Sequence, residues 1–297
     1  MHSFLRAIGF SKCKTSKDVN KIIKYALENG ETRKMSEDEE AVFGLIEKKF
    51  SDCLGLHIFG EYDENDEFKM LYYYPYFESD KITTYDVPTI EKLNANEAYT
   101  GVCEDLKVGV SLIFYLQNIM EYKNEINSTI RKSLVQGVIF TGLSSSGKIL
   151  FPIMKNEYAK ANKKSESDKR MNLIAAARNG DEEAIENLTL EDIDTYSMVS
   201  RRILNEDIFS IVETYFMPYG IECDMYSVLG DILNYEVVEN SYTKEKIVIM
   251  TINCNDLIFD VCINEEDLMG EPKVGRRFKG NIWLQGKIAF SDMYKYE

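Results

Sequence analysis

The strand-like runs of this chain come in groups and do not alternate singly with helices. One group lies between residues 54 and 154, and a second lies between residues 226 and 290, after a helical stretch. Grouped strands favour antiparallel sheets with the helices set apart, which defines the α+β class. We therefore predict N-terminal helices packed on an antiparallel sheet, then a helical block, then a small antiparallel sheet or partly open barrel.

Two helices are predicted before the first group of strands. Ser16 is placed to cap residues 17–29, whose apolar side chains recur at helical spacing. Residues 36–54 form the second predicted helix, in which Ser36 and Glu39 have the spacing of a capping box.

Residues 138–151, VIFTGLSSSGKILF, have the glycine and lysine spacing of a phosphate-binding loop. Such a loop needs a Ser or Thr after the lysine to hold magnesium, and a helix must begin there. Ile149 takes the place of the Ser or Thr, and Pro152 interrupts a strand-like run. We therefore predict a β-hairpin whose turn is residues 144–147, with Gly147 at positive φ and no bound nucleotide.

Residues 155–170 are polar and have no apolar period, which indicates a boundary between two domains. The predicted N-terminal α+β domain covers residues 1–158. A linker of about residues 159–170 follows it. The predicted C-terminal domain, residues 171–297, combines the helical block with the second group of strands.

The charge of the chain argues against nucleic-acid and membrane partners. Its 35 basic and 50 acidic side chains give a formal net charge of −15, which repels phosphate backbones and anionic lipid head groups. The longest apolar-rich run, residues 108–120, is shorter than the roughly 20 residues that a bilayer requires. No secretory signal is visible near the start. We therefore expect a cytoplasmic protein.

Residue types used in catalysis and metal binding are few. The two histidines are His2 and His57, and the six cysteines contain no Cys-x-x-Cys pair. Zinc-ligand spacing is therefore missing. His57 lies in the middle of a predicted strand, where a structural role is favoured. We predict no catalytic residue, no metal and no cofactor.

Residues 63–68 place three oxygen-bearing side chains at the alternate spacing of a calcium-binding loop. Phe68 takes the place of the glycine that such a loop requires, and no helix pair flanks the segment. We interpret this segment as the tip of a hairpin between strands at residues 54–62 and 67–77.

The segment 274–288, VGRRFKGNIWLQGKI, is locally basic and carries the single tryptophan of the chain. A contact surface for a partner, or an oligonucleotide-binding strand, has this composition. The candidate contact residues are Arg276, Arg277, Lys279 and Trp283. The alternative is a core strand in which the arginines pair with acids such as Glu265 and Glu266.

Six stretches of the sequence resemble a known family. They are MHSFLRAIGF, VGVSLIFYLQN, GLSSSGKILFPI, ARNGDEEAIENLTLEDIDTYSMVSRR, YFMPYGIECDMYSVLGDI and FKGNIWLQGKI. Together they run almost from one end of the chain to the other. The family is an uncharacterised one from anaerobic Gram-positive bacteria, a domain of unknown function. The resemblance implies a cytoplasmic protein of stable architecture, and it implies no activity, cofactor or catalytic residue.

Our leading hypothesis is a non-catalytic cytoplasmic protein that binds a partner protein or a small ligand, because a well-patterned chain lacks a coherent catalytic set. One alternative is a hydrolase-type enzyme whose site is built from carboxylates in a cleft between the two domains. A third hypothesis is nucleic-acid binding through the basic segment 274–288.

Overall fold

The computed structural model describes residues 3–38, 41–93, 98–105, 110–127, 134–153, 169–170 and 172–291. Its strands form a four-stranded antiparallel sheet and a ten-stranded mixed sheet, and several helices accompany them. The α+β class predicted from the grouped strands is therefore confirmed.

The N-terminal segment contains a 3₁₀ helix, η1 (Ser3–Ile8), and a helix, α1 (Ser16–Asn29). The Thr15 hydroxyl accepts a hydrogen bond from the backbone N–H of Asp18, and the Asp18 carboxylate accepts one from the backbone N–H of Thr15. The predicted helix is confirmed. Its cap is Thr15 instead of Ser16, because only Thr15 has an acid three residues later to close the capping box.

The first sheet consists of four antiparallel strands in chain order. They are β1 (Glu31–Asp38), β2 (Ala41–Lys49), β3 (Leu54–Tyr62) and β4 (Phe68–Phe77). The hairpin predicted around the polar tip is confirmed, because β3 and β4 pair on either side of it. Apolar side chains of η1 and α1 share one buried cluster with side chains of this sheet.

The helix predicted for residues 36–54 is wrong. Ser36 lies in β1 and residues 41–49 form β2, while Glu39 lies outside the described residues. Short apolar runs fit a helical and a strand period equally well. Here β2 pairs with β1 on one side and β3 on the other, so sheet pairing outweighs the local pattern.

The second sheet contains ten strands. They are β5 (Thr89–Leu93), β6 (Ala98–Glu104), β7 (Ser111–Leu116), β8 (Leu134–Leu150), β9 (Tyr215–Pro218), β10 (Met225–Glu239), β11 (Lys246–Cys254), β12 (Leu257–Asn264), β13 (Leu268–Met269) and β14 (Arg277–Ser291). Helix α2 (Ile119–Asn127) lies between β7 and β8, and a second 3₁₀ helix, η2 (Glu265–Asp267), precedes β13.

Five of these strands close a ring of pairings. β8 pairs in parallel with β12 and antiparallel with β14, and β12, β11, β10 and β14 pair antiparallel in that order. Successive side chains of a strand point to opposite faces. Phe259 and Leu284 belong to one buried cluster, whereas Cys262 and Trp283 belong to a second cluster, which contains most of the buried side chains of the first sheet. The first sheet therefore packs on the outer face of the ring.

Residues 134–150 form one continuous strand, so the hairpin turn predicted at residues 144–147 is wrong. Lys148 continues the strand, as the strand-like residues after it predict. Gly147 is not among the glycines with positive φ. A Cβ at this position would lie 2.4 Å from Cε2 of Phe278, so the ring of Phe278 needs the space that glycine leaves.

The helical block predicted between the two groups of strands is present. It comprises α3 (172–178), α4 (Glu182–Ile203) and α5 (Ile208–Ile211). Asp181 caps α4 by accepting a hydrogen bond from the backbone N–H of Ala184, and Asp207 caps α5 in the same way. None of the helices in the described ranges is long and apolar enough to cross a membrane.

Both groups of strands contribute to the ten-stranded sheet. β8 precedes the predicted linker and β9 to β14 follow it, so the C-terminal strands do not form a small separate sheet. Residues 159–168 of the linker lie outside the described residues. The division into domains at residues 1–158 and 171–297 stays a prediction, and the two parts share one sheet.

We expect Gly147→Val to destabilise the ring. The new side chain would overlap the fully buried Phe278, and repacking costs about 1–3 kcal/mol. Ser146→Val is the matched control, because Ser146 is the preceding residue of the same strand and is exposed. Urea unfolding should place the control within about 0.5 kcal/mol of the wild type. Equal losses in the two variants would contradict a packing role for Gly147.

Candidate functional site

Trp283, one of the predicted contact residues, lies in the core. Its side chain is 5% exposed, and its ring stacks on Phe4 with the centroids 5.4 Å apart. Its Nε1–H donates a hydrogen bond to a carboxylate oxygen of Asp224 at 2.7 Å. Burial raises the pKa of Asp224, and this hydrogen bond opposes the shift. Trp283 is a packing residue, which corrects its assignment to a contact surface.

Arg277 is also buried, with 4% of its surface exposed. Its guanidinium donates hydrogen bonds to the carbonyl oxygens of Phe151, Phe209, Val212 and Glu213, at distances of 3.0, 2.7, 2.9 and 3.3 Å. Phe151 directly follows β8, and the other three carbonyls belong to α5 and the residues after it. Arg277 therefore fastens two separate segments to β14, and its assignment to an exposed contact surface is corrected too.

Two carboxylates influence the Arg277 guanidinium. Burial lowers the pKa of Arg277, whereas the negative charges of Asp231 and Glu213 raise it. An arginine keeps its proton throughout the physiological range. The guanidinium therefore stays charged, and its hydrogen bonds to backbone carbonyls offset part of the cost of burying that charge.

Arg276 and Lys279 lie near the same segments. Arg276 Nη1 donates to the carbonyl oxygen of Glu271 at 2.7 Å, and its guanidinium lies 5.4 Å from the ring centroid of Phe151. Lys279 Nζ lies 4.4 Å from the ring centroid of Phe209. The structure therefore brings the three basic residues together around two phenylalanines of their own chain, and it separates them from the tryptophan.

Two small cavities adjoin Arg277 where the sheet meets α5. They have volumes of about 320 and 310 Å³ and share Pro152 and Ile153 as walls. Glu213 and Asp231 give the first cavity two carboxylates, and its remaining walls are mostly apolar. Volumes near 300 Å³ are at the small end of ligand pockets. The first cavity has the size and charge for a small ligand that carries one positive group.

His57 is the histidine that a catalytic triad would require, and it is buried between the first sheet and the ring. Its Nδ1 lies 2.9 Å from the hydroxyl of Tyr74, which donates to the carbonyl oxygen of Gln117 at 3.1 Å. Because a hydroxyl has one proton, Nδ1 of His57 is the donor toward Tyr74. The Tyr76 ring stacks on the imidazole at 4.1 Å, and its hydroxyl donates to Glu47 at 2.6 Å.

Burial lowers the pKa of His57 to about 3, although the negative charge of Glu47 opposes the shift. Burial raises the pKa of Glu47, but the hydrogen bond from Tyr76 and nearby positive charges outweigh it and lower the pKa. His57 is therefore neutral near pH 7 and enclosed by its own chain. This is the structural role predicted from its position in a strand.

A pair of buried glutamines continues the same network. Gln117 Nε2 donates to Gln285 Oε1 at 2.7 Å and to the carbonyl oxygen of Phe77 at 2.8 Å. Gln285 Nε2 donates to the carbonyl oxygen of Pro75 at 2.8 Å, and the Thr141 hydroxyl donates to Phe77 at 2.7 Å. These bonds tie the end of β4 to β8 and β14. We call the side chains of Gln117, Gln285, Thr141, His57 and Tyr74 the polar seam.

A second polar cluster lies on the ring, around the carboxylate of Asp260. The Ser79 hydroxyl donates to one carboxylate oxygen of Asp260 at 2.6 Å, and the Thr251 hydroxyl donates to the other at 2.5 Å. Lys81 Nζ lies 3.1 Å from the Thr251 hydroxyl. Both oxygens of the buried carboxylate are engaged, so the cluster fastens the segment after β4 to the ring.

Thiol and metal chemistry receive little support. All six cysteines lie in the described residues and are free thiols. Burial raises the pKa of Cys103 and of Cys254 to about 12, so these thiols stay protonated and are weak nucleophiles. Within the ranges that the structure describes, no group of three or more His, Cys, Asp and Glu side chains could hold a metal ion.

Helix α4 leaves an apolar face exposed, which the sequence analysis missed. Only Ala184 of this helix is buried. Seven large apolar side chains on α4 and just after it are between 45% and 82% exposed, and six of them, all except Met198, lie on one side of the helix. These six are Ile185, Leu190, Ile193, Tyr196, Ile203 and Leu204. At 100° per residue they fall within about 140° of the helix circumference, and we call them the α4 face. The apolar residues of α4 recur at helical spacing in the sequence, but such spacing ordinarily indicates a helix face that is buried in the core.

A family model described as "Domain of unknown function, E. rectale Gene description (DUF3881)" matches residues 5–286. No curated protein and no solved structure matches the chain. The match covers almost the full length, which confirms the resemblance to a full-length family of unknown function from anaerobic Gram-positive bacteria.

We expect Arg277→Ala to release α5 and the residues after it from β14. Four partly buried carbonyl oxygens would lose their donor, at a cost of about 2–4 kcal/mol. Hydrogen exchange of residues 208–213 should accelerate, and urea unfolding should report the loss of stability. Arg276→Ala is the control, since that side chain is 25% exposed and makes a single backbone hydrogen bond. Unchanged protection of residues 208–213 in Arg277→Ala would contradict the fastening role.

We expect the stability of the fold to depend on pH through His57. The folded protein resists protonation of this imidazole, whereas the unfolded chain takes up the proton below its ordinary pKa of 6.5. Stability is therefore lost as the pH falls from 6.5 toward 3, by about 2 kcal/mol at pH 5. His57→Gln lacks this contribution, so its loss between pH 7 and pH 5 should be smaller by about 2 kcal/mol. Urea unfolding at both pH values measures the difference, and equal losses would refute it.

Proposed function

The chain belongs to the DUF3881 family, a family of unknown function, over residues 5–286, and we propose that it is a non-catalytic cytoplasmic protein that binds a partner protein through the α4 face. The single observation that carries this proposal is the exposure of six large apolar side chains along one side of α4. Contiguous apolar surface on a soluble protein is typical of interaction sites. Amphipathic helices are a recurrent means of protein recognition.

The manner in which α4 is joined to the sheet supports the proposal. The ring of five strands is the base to which the end of α4 is attached. Helix α5 begins shortly after α4 ends, and Arg277 holds the backbone of Phe209 and Val212. The C-terminal end of α4 is therefore tethered to β14 by partly buried hydrogen bonds. Our hypothesis also includes a small ligand, and we assign that ligand to the first cavity beside Arg277.

Several contacts favour binding over the hydrolase alternative. His57 is neutral and enclosed, Ser79 donates to a carboxylate that Thr251 also engages, and the first cavity holds two carboxylates beside a guanidinium. A hydrolytic site needs a base or nucleophile that can reach a substrate. These residues are engaged with their own chain.

The nucleic-acid alternative is weakened by the same kind of contact. Arg276, Arg277 and Lys279 contact Phe151, Phe209 and backbone carbonyls of this chain, so their charges are partly committed. The net charge of −15 adds a general repulsion of phosphate.

The cysteines support the cytoplasmic location that we propose. All six are free thiols, which suits a reducing compartment.

Site-specific photo-crosslinking tests the proposal. A photoreactive phenylalanine derivative at Tyr196 should form a covalent adduct with a protein in cells of the source bacterium. Tyr85 is the matched control position, because both tyrosines are 76% exposed and Tyr85 lies outside the helical block. Ile193→Asp should suppress the adduct from position 196, since it places a charge in the centre of the α4 face.

Two results would count against the proposal. One is a probe at position 196 that gives no adduct in cells that make the protein at normal levels. The other is a similar adduct pattern from positions 85 and 196, which would indicate random collision.

A further inference from the structure

Resting on the proposed function, we infer that the partner at the α4 face is a second copy of this chain. The two copies pair their α4 helices antiparallel about a twofold axis. In such an interface the same surface serves both subunits, so the face must be complementary to itself. Three features of α4 meet this condition: the placement of its apolar residues, the placement of its charges and its length.

The apolar residues of the α4 face are arranged symmetrically along the helix. Ile185 and Ile203 are 18 residues apart, which is about five complete turns, so they lie on the same side. Ile193 and Tyr196 lie close to the midpoint between them. Reversing the helix about this midpoint brings Ile185 of one copy beside Ile203 of the other, and the central side chains meet each other.

The two ends of α4 carry opposite charges, whereas three further acids, Glu191, Asp192 and Asp194, lie near its middle, two of them paired with Arg170. Its first turn contains Glu182 and Glu183, and its last turn contains Arg201 and Arg202. Glu183 and Arg201 are also 18 residues apart and lie on one side of the helix. Antiparallel pairing brings Arg201 of each copy to the acidic end of the other, whereas parallel pairing would set acid against acid.

Contacts within the chain identify the charges that take part. Arg202 is paired with Glu206 at 2.6 Å, and Arg170 is paired with Glu191 and Asp192 at 3.1 and 2.7 Å. The pairing between copies is therefore assigned to Arg201 of one copy with Glu183 and Glu186 of the other. Glu186 is one turn from Glu183 and faces the same flank.

The size of the contact sets the expected affinity. A helix of 22 residues is about 33 Å long, so one helix pair makes a small interface. The net charge of −15 on each copy also opposes association. We therefore expect a dimer with a Kd of about 10 μM, held by the apolar face and oriented by the charged ends.

Sedimentation velocity of the purified full chain tests the inference. Wild-type protein should pass from monomer to dimer as its concentration rises through about 10 μM. Tyr196→Glu should abolish the dimer, whereas Tyr85→Glu, at an equally exposed tyrosine, should leave it unchanged. Circular dichroism of each variant confirms that the chain is folded.

A charge exchange tests the orientation. Arg201→Glu alone and Glu186→Arg alone should each weaken the dimer about tenfold. The first places an acid against Glu183 and Glu186 at both ends of the helix pair, and the second places a base against Arg201 at both ends. An equimolar mixture of the two variants should recover much of the lost affinity, since position 201 of each variant then faces an opposite charge at position 186 of the other.

The outcomes separate this inference from the proposed function. A chain that stays monomeric, while position 196 crosslinks to a different protein, overturns the second-copy inference and leaves the partner-binding proposal standing. A dimer that tolerates Tyr196→Glu, or a mixture that fails to restore association, also overturns the inference. Adducts between two copies of this chain through position 196 support both.

Discussion

The polar seam is the constraint on which the arrangement of the two sheets depends. A buried amide without a partner costs about 1–3 kcal/mol, and Gln117 and Gln285 would each face that cost if β4 moved. They bind each other and the carbonyl oxygens of Pro75 and Phe77, at the end of β4. A shift of the first sheet by one residue would separate these groups. Apolar contact between the sheet and the ring is not directional, so the seam is what selects one position among many.

Arg277 has a comparable effect at the start of β14, the strand that also carries Gln285. Its hydrogen bonds go to backbone carbonyls, so they depend on the path of the chain, and the carboxylates of Asp231 and Glu213 add charge attraction. The seam and Arg277 both use residues that commonly serve in active sites: a histidine, tyrosines, glutamines and an arginine. In this fold these residues are engaged in holding segments together. The α4 face is the contrasting region, because there the apolar side chains have few neighbours within the chain.

Local patterns predicted the parts of the fold that depend on local chemistry. The two strand-like runs on either side of the polar tip at residues 63–66, and the apolar stripe of α1, indicate their structures without help from distant residues. Residues 41–49 fit a helix or a strand equally well, and only pairing with β1 and β3 decides between them. The glycine at 147 suggested a turn, but its cause is the Phe278 side chain, which lies far away in the sequence.

The candidate site was less predictable for a related reason. Arg276 and Arg277 are neighbours of the same type, yet one is partly exposed and the other is buried. Their environments are set by segments around Phe151 and Phe209, more than 60 residues away in the chain. The apolar spacing of α4 was visible in the sequence. Whether a stripe of that kind faces the core or the solvent depends on the tertiary arrangement, which a local pattern does not contain.

The ring of five strands has a consequence for how the chain is made. β8 and β14 are the two strands that complete it, and well over a hundred residues separate the end of one from the start of the other. At ribosomal rates of about 5–20 residues per second, β14 is synthesised at least several seconds after β8, with which it pairs antiparallel. During that interval the edge of β8 is open to wrong neighbours on other nascent chains. Translation that stalls before β14 would therefore leave a species inclined to aggregate, even though the first sheet is already complete.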